Sequence, residues 1–253
     1  MNKKLLDAIV ANGNEYCRLY LSKYDISVLH EDWWQSFDFF LSRACFQGRR
    51  DDVSARVYEN ACKVLSPLFA STEKDYNYQD QKQRNWDSIK TDLGNRIGKG
   101  KVGKARDVEM IISALSFLDG IPDKNIVRYS VSKIRDGQIY QHYNDLQAAN
   151  KNGGIVQVGP KIAAFYLRDV VSVFHLVDGV DAISAFCLQP VDTWVQKIAE
   201  KIGIVSEGTD KAEVQKAIVC MCEQESIPAL LFNQGAWFTG YHAFDLVLGL
   251  MSK

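Results

Sequence analysis

Hydrophobic positions recur at helical spacing along most of this chain. Between Lys3 and Tyr20, the residues Leu5, Leu6, Ile9 and Val10 fall on one side, followed by Tyr16, Leu19 and Tyr20. From Glu31 to Phe46 the apolar set Trp33, Trp34, Phe37, Phe40, Leu41 and Cys45 approaches the i, i+3, i+4, i+7 stripe that a helix buries. Trp33 and Trp34 are neighbours and face different directions, which predicts one in the core and one free to line a cleft. Asp51 and Asp52 read as the cap of a helix over Val53 to Phe69. The polar run from Asp75 to Ile97 keeps only Trp86, Ile89, Leu93 and Ile97 as a sparse stripe and predicts a surface helix. Ala105 to Leu118 is apolar on one face and stops at Asp119-Gly120.

Pro122 opens a further segment to about Ile134, and Ile139 to Ala149 follows, ending at the turn signal Asn150-Lys151-Asn152-Gly153-Gly154. Helices are then predicted over Lys161 to Phe174, Val191 to Ile202, and Lys211 to Gln224 behind a Thr209-Asp210 cap. Two short helices from Pro228 and from Tyr241 close the chain. Alternating β-branched runs are few, and no Asn-Gly turn is flanked by them. The pattern predicts an all-α fold of many modest helices, with no internal repeat and no low-complexity linker.

The 253 residues suffice for one large domain or two small lobes. Apolar content of 47% and charged content of 24% are those of an ordinary globular protein. No run approaches the roughly 18 apolar residues of a bilayer span. Asp7 interrupts what would be the apolar core of a signal peptide, so a cytoplasmic protein is expected. The net charge of −1 does not announce a nucleic-acid binder, so any such contact must come from local patches and main-chain N–H groups. Six cysteines without framework spacing are predicted to be mostly buried small residues, and Cys220-Met221-Cys222 lacks a second pair. The four histidines show no metal-ligand spacing. Neither a metal nor a cofactor is expected.

The chemistry concentrates in Val156 to Ala164, VQVGPKIAA, and in Pro190-Val191-Asp192 behind it. Val158-Gly159-Pro160 makes a tight turn, and Pro160 suits a first helical position, where its missing N–H costs nothing. The exposed N–H groups of such a turn bind a phosphate without a basic side chain. Lys161 falls in the first helical turn, where the positive end of the helix dipole disfavours its protonated form. A lysine held there and partly desolvated is a candidate amine nucleophile. The alternative is an ordinary solvated lysine at a helix start. The Gly-Pro turn, the small Ala163 and Ala164, and the later aspartate favour the nucleophile.

The run Gln157 to Ala164, with Pro190-Val191-Asp192-Thr193-Trp194-Val195, resembles the helix-hairpin-helix and Gly/Pro-Asp module of base-excision DNA glycosylases. In lysine-bearing members the matching lysine forms a Schiff base with the deoxyribose C1′ and the aspartate assists. The resemblance implies Lys161 and Asp192 for those roles, and Gln157, Val158 and Gly159 for DNA contact. Asp192 follows Lys161 by 31 positions, an interval more like the archaeal 8-oxoguanine glycosylase/lyase branch than the endonuclease III type. Phe165-Tyr166-Leu167-Arg168-Asp169 points the same way, with weaker likeness at Glu31 to Trp34 and Asn233 to Trp237. Two departures stand out. Gln157 replaces the glycine usual two positions before Gly159, and the C-terminal iron–sulfur cysteines of the endonuclease III type are absent.

What the resemblance implies is a two-lobed helical fold with a DNA-binding cleft between the lobes. One lobe, about 105–200, carries the hairpin and catalytic residues; the other combines about 1–104 with 201–253. The implied partner is damaged double-stranded DNA, met by a monomer in the nucleoid-associated cytoplasm of a prokaryote, with no membrane. The implied activity is excision of an oxidised purine, 8-oxoguanine, followed by β-elimination at the abasic site. A flipped purine needs apolar surfaces on both faces, for which Phe165 and Trp237 are the candidates, with Asn233 for the base edge. A glycosylase for another damaged base and a non-catalytic hairpin DNA-binding module remain the alternatives.

Gly98-Lys99-Gly100-Lys101-Val102-Gly103-Lys104-Ala105 imitates a phosphate loop, but Ala105 stands where Ser or Thr would hold magnesium. Polar helical sequence precedes it. With Arg106 it reads instead as a flexible basic loop, either touching DNA phosphates or merely solvated. Arg49-Arg50 is a second, smaller basic point.

Overall fold

A computed structural model describes residues 3–69, 86–148 and 153–251. Among them every regular element is a helix, and the only extended pairing is an isolated bridge between Gln147 and Ile155. In chain order, α1 (Lys3–Tyr16) runs into a π-helical turn over Cys17–Leu21, and α2 (Ile26–Glu31), α3 (Trp33–Ala44) and α4 (Asp51–Phe69) follow. Next come α5 (Trp86–Ile97), α6 (Ala105–Asp119), α7 (Ile126–Arg135), α8 (Ile139–Asp145) and α9 (Pro160–Val173). The last four are α10 (Ala182–Ala185), α11 (Thr193–Lys201), α12 (Lys211–Gln224) and α13 (Ala229–Met251). None of the described helices is long and apolar enough to cross a membrane.

The chain divides into two compact units. A terminal unit comprises Met1–Asp25, Ile134–Tyr140 and Ala163–Lys253, and a central unit comprises Ile26–Lys133 and Gln141–Ile162. This division differs from the lobes expected from sequence. A cut near 105 would part α5 from α6, which pack on each other, and a cut near 200 would part α11 from α12 and α13.

In the terminal unit α1 lies along α13 at backbone distance. A Cβ on Gly13 would strike the Leu231 carbonyl, and one on Gly235 would strike the Ile9 carbonyl, so each helix offers a glycine where the other crosses. Leu6 and Ile9 of α1 join Val195 and Ile198 of α11, Ile218 of α12 and Phe232 of α13 in one core. Burial of side chains this size contributes about 1.5–3 kcal/mol each, which is what holds the two ends of the chain together.

In the central unit Phe37, Phe39, Phe40 and Leu41 of α3, Leu65 of α4, and Leu93 of α5 are fully buried. Trp34 is buried and Trp33 half-buried, and both rings rest on Phe69, at 6.1 and 5.2 Å. Both tryptophans therefore serve packing.

Several boundaries move for local reasons. Asp32 splits the segment expected over Glu31 to Phe46, because its carboxylate caps the N–H groups of Trp34 and Gln35. The closing segment is one helical run broken at Ala243 (φ −143°, ψ 19°), not a fresh start at Tyr241. The first part of the helix expected over Asp75 to Ile97 and the turn residues Asn150 to Asn152 lie outside the described residues. Cys45, Cys187 and Cys222 are buried as expected, whereas Cys17 and Cys62 are half-buried and Cys220 is exposed.

Candidate functional site

The hairpin turn belongs to the central unit. The Val158 N–H closes an i to i+3 turn on the Ile155 carbonyl at 3.0 Å, and Gln157 at its third position has φ 64°. That is the left-handed conformation a glycine supplies most cheaply, and here the backbone adopts it with a glutamine. The turn is pinned on three sides. Ile155 N–H donates to the Leu146 carbonyl (3.1 Å), Ala148 N–H to the Val158 carbonyl (2.8 Å), and Val156 N–H to the Ser113 hydroxyl on α6 (2.9 Å). Helix α9 then begins at Pro160, as its sequence predicts.

The three residues expected to touch DNA separate here. Val158 is fully buried, with its N–H and carbonyl both spent inside the turn, so it offers a ligand nothing. Gln157 is exposed, and the N–H groups of Gln157 and Gly159 donate to no described residue. Those two N–H groups are what the turn has to give an anion.

Lys161 is half-buried, and its amine donates to the Phe46 carbonyl at 3.0 Å, just past the end of α3. Beyond Phe46, Arg49 bends back. Its guanidinium donates to the Cys45 carbonyl at 3.0 Å and to Asp107 Oδ2 at 2.7 Å. Main-chain hydrogen bonds hold the loop from Gly98 to Lys104 at both ends. Gly98 N–H bonds the Gly94 carbonyl (3.0 Å), Gly103 N–H the Ile97 carbonyl (2.9 Å), and Lys104 N–H the Asp107 carboxylate (2.6 Å). Helix α5, not a strand, precedes this loop, which removes the phosphate-loop reading.

Asp192 belongs to the terminal unit, as the N-cap of α11. Its Oδ1 accepts the N–H groups of Trp194 and Val195, both at 2.9 Å, which fixes the carboxylate against the helix start. Oδ2 accepts no hydrogen bond from a described residue. An aspartate here is thus both cap and candidate charge.

No family model, curated protein or solved structure matches this chain. The chemistry must therefore be read from its own side chains.

The terminal unit links the remaining candidates through residues whose charge pattern hints at them. Arg168 and Asp169 are adjacent opposite charges within the apolar face of α9, and both are buried. Arg168 donates to Asp169 Oδ1 (2.9 Å), to the Tyr16 hydroxyl (2.7 Å) and to Asn233 Oδ1 (2.9 Å). Tyr16 donates to Asp169 Oδ2 at 3.0 Å. The Arg168 guanidinium also lies 5.0 Å over the half-buried Phe165 ring. Asn233 is fully buried, and its amide donates to the Pro190 carbonyl at 3.3 Å. Both ends of Asn233 are thus engaged inside the protein, and its place is structural, not at a base edge.

Trp237 is half-buried. Tyr241 stacks on it at 5.0 Å with an 8° interplanar angle, and Tyr16 and Tyr20 meet it edge-on at 5.7 Å. Cys17 borders this cluster, and burial with the nearby Asp169 carboxylate pushes its thiol up, away from nucleophilic use. Among the described residues no three His, Cys, Asp or Glu side chains converge as a metal site would require.

Proposed function

We propose that this protein is a DNA glycosylase with AP-lyase activity, removing an oxidised purine, 8-oxoguanine, from duplex DNA through a Schiff base on Lys161. The observation that carries the reading is the left-handed Gln157 (φ 64°) in the turn that opens α9, with Lys161 in the first helical turn behind it. That turn leaves the N–H groups of Gln157 and Gly159 to a phosphate, which would place the sugar backbone beside the lysine.

In the reaction, the neutral amine of Lys161 attacks C1′ of the extruded nucleotide. The bond from C1′ to the base breaks, and its electron pair leaves with the base, which takes up a proton. Asp192 offers its Oδ2 to the positive charge developing on the sugar, while Oδ1 stays held by the α11 main chain. The C1′–O4′ bond then breaks, O4′ takes up a proton from solvent as the C4′ hydroxyl, and the nitrogen lone pair closes the protonated imine between C1′ and Lys161. Loss of a proton from C2′ then drives cleavage of the C3′–O bond and frees the 3′ phosphate. Phe165 and Trp237 supply apolar surface for the extruded base. The helix-hairpin-helix glycosylase fold and monomeric action on damaged DNA in a nucleoid-associated cytoplasm belong to the same proposal.

Borohydride trapping on duplexes bearing 8-oxoguanine, other damaged bases or an abasic site tests it. The expected result is a covalent adduct on 8-oxoguanine duplex that Lys161→Gln abolishes, with duplex affinity kept within a few-fold. Adducts confined to another lesion would reassign the substrate. Tight duplex binding with no adduct on any lesion would leave a non-catalytic module, and an undiminished adduct with Lys161→Gln would remove the lysine from its role.

A further inference from the structure

The hairpin accounts for only one edge of the central unit, and a second feature of that unit is more strongly charged. From Arg96 to Arg106 the chain carries five basic side chains, Arg96, Lys99, Lys101, Lys104 and Arg106, and no acidic one. All five are exposed, and none has an ion-pair partner among the described residues. The whole chain has 30 basic and 31 acidic residues, so this concentration is local and not a reflection of composition.

The loop is also built to hold its shape. Lys101 N–H closes a turn on the Gly98 carbonyl at 3.0 Å, with Gly100 left-handed (φ 80°) at the third position. The hairpin turn at Ile155 to Val158 has the same form, with Gln157 in the equivalent place. Beneath the loop, Asp107 is buried and ties Lys104 N–H to Arg49. Arg49 reaches Cys45, next to Phe46, whose carbonyl holds the Lys161 amine. Four hydrogen bonds and the Cys45–Phe46 peptide link therefore run from the root of the basic loop to the lysine.

We infer that the basic surface from Arg96 to Arg106, formed by the end of α5, the loop and the start of α6, is a second contact for the DNA sugar-phosphate backbone, set on a hydrogen-bonded framework that also holds Lys161. The inference rests on the reading above, in that the polyanion is taken to be the duplex which the hairpin holds. Its geometry suits one continuous strand. The hairpin rests on Ser113, eight residues along α6 from Ala105, which is roughly 12 Å at 1.5 Å per residue. Successive phosphates of a strand advance about 3.4 Å along the duplex axis, so loop and hairpin would grip the backbone roughly three to four phosphates apart. The main chain that carries these cations is already held, so it loses little freedom on binding, and five unpaired like charges repel one another until a polyanion meets them.

The test is a triple variant, Lys99→Ser, Lys101→Ser and Arg106→Ser, all at exposed positions outside the proposed chemistry. Affinity for an undamaged duplex is measured by fluorescence anisotropy across salt concentrations, beside borohydride trapping on 8-oxoguanine duplex at saturating protein. Each phosphate contact contributes about 0.9 to the slope of log affinity against log salt. The slope is expected to fall by roughly 2 to 3, with affinity near 0.1 M salt down on the order of a hundredfold, while trapping at saturation is unchanged. An unchanged slope in a protein that binds duplex and traps normally overturns this inference alone. A reduced slope in a protein that never traps keeps the surface and overturns the activity. Loss of binding to anionic phospholipid vesicles, with duplex binding unaffected, would assign the loop to a membrane surface and overturn the inference.

Discussion

Asn233 donates its amide to the Pro190 carbonyl at 3.3 Å while accepting from Arg168 at 2.9 Å, with all of its side chain buried. The segment leading to Asp192 is thereby fastened to α13, and α13 to α9. Asn233→Leu keeps the volume but strips one partner from a buried guanidinium. A hydrogen bond to a charged group is worth about 1.5–3 kcal/mol, and the loss is expected in that range by urea unfolding. Arg168→Met should cost more, roughly 3–5 kcal/mol, because Asp169 would be left buried without its counter-charge. If both variants unfold at the wild-type midpoint, the network does not hold the unit together.

At Asp192, two functions of one carboxylate can be separated. Asparagine caps a helix about as well as aspartate, whereas alanine in place of a capping residue costs about 0.5–2 kcal/mol. Asp192→Asn should therefore melt close to wild type, and Asp192→Ala several degrees lower. Under the proposed activity, both should be equally poor in single-turnover base excision, since both lack the negative charge. An Asp192→Asn variant that excises at the wild-type rate would reduce the residue to a cap.

Helix periodicity, capping and turn chemistry make the all-α class and most helix positions legible in the sequence. Lys211–Gln224 appears as its pattern predicts, and Pro160 opens its helix. The units were not legible, because what sets them is contact between distant segments, such as Gly13 against Leu231 and Gly235 against Ile9. Lys161 stood out through its Gly-Pro turn and Gln157 and Asp192 through the family resemblance, whereas the cap at Asp192, expected inside a helix from Val191, is seen only in the fold. Asn233 and Val158 misled for the opposite reason: their burial depends on Arg168, Pro190, Ala148 and Ile155, and residue type does not reveal it. The Arg168–Asp169 pair did leave a trace, as charge in an otherwise apolar helix face.

Gln157 holds a conformation that costs an L-residue roughly 1–2 kcal/mol relative to glycine's free access to it. Part of that is returned because glycine loses more backbone freedom on folding. Gln157→Gly is expected to stabilise the central unit by about 0.5–1 kcal/mol, and Gln157→Val to destabilise it by about 1–2 kcal/mol. Thermal unfolding of the pair reads the difference directly. A glycine variant that melts lower than wild type would mean that the glutamine side chain contributes more than its backbone costs.

His142 gives the central unit a pH dependence of known sign. Its ring is fully buried, with Nε2 against the Ser130 hydroxyl at 2.8 Å and Tyr129 edge-on at 5.2 Å. Burial first, and the Lys133 charge second, push its pKa down from the usual 6.5 to about 3. Between those values the unfolded chain takes up a proton that the folded chain refuses. Stability contributed by the neutral ring is therefore present above pH 6.5 and falls as the pH drops, by about 1.4 kcal/mol per pH unit for this group alone. Other groups titrate in the same window, so the comparison is with His142→Phe, which removes the titration and keeps an aromatic ring. Urea unfolding at pH 4.5 and 6.0 should show a wild-type loss steeper than the variant's by roughly 2 kcal/mol across the interval. Parallel losses would mean that the imidazole is charged within the fold, with a partner for its second nitrogen.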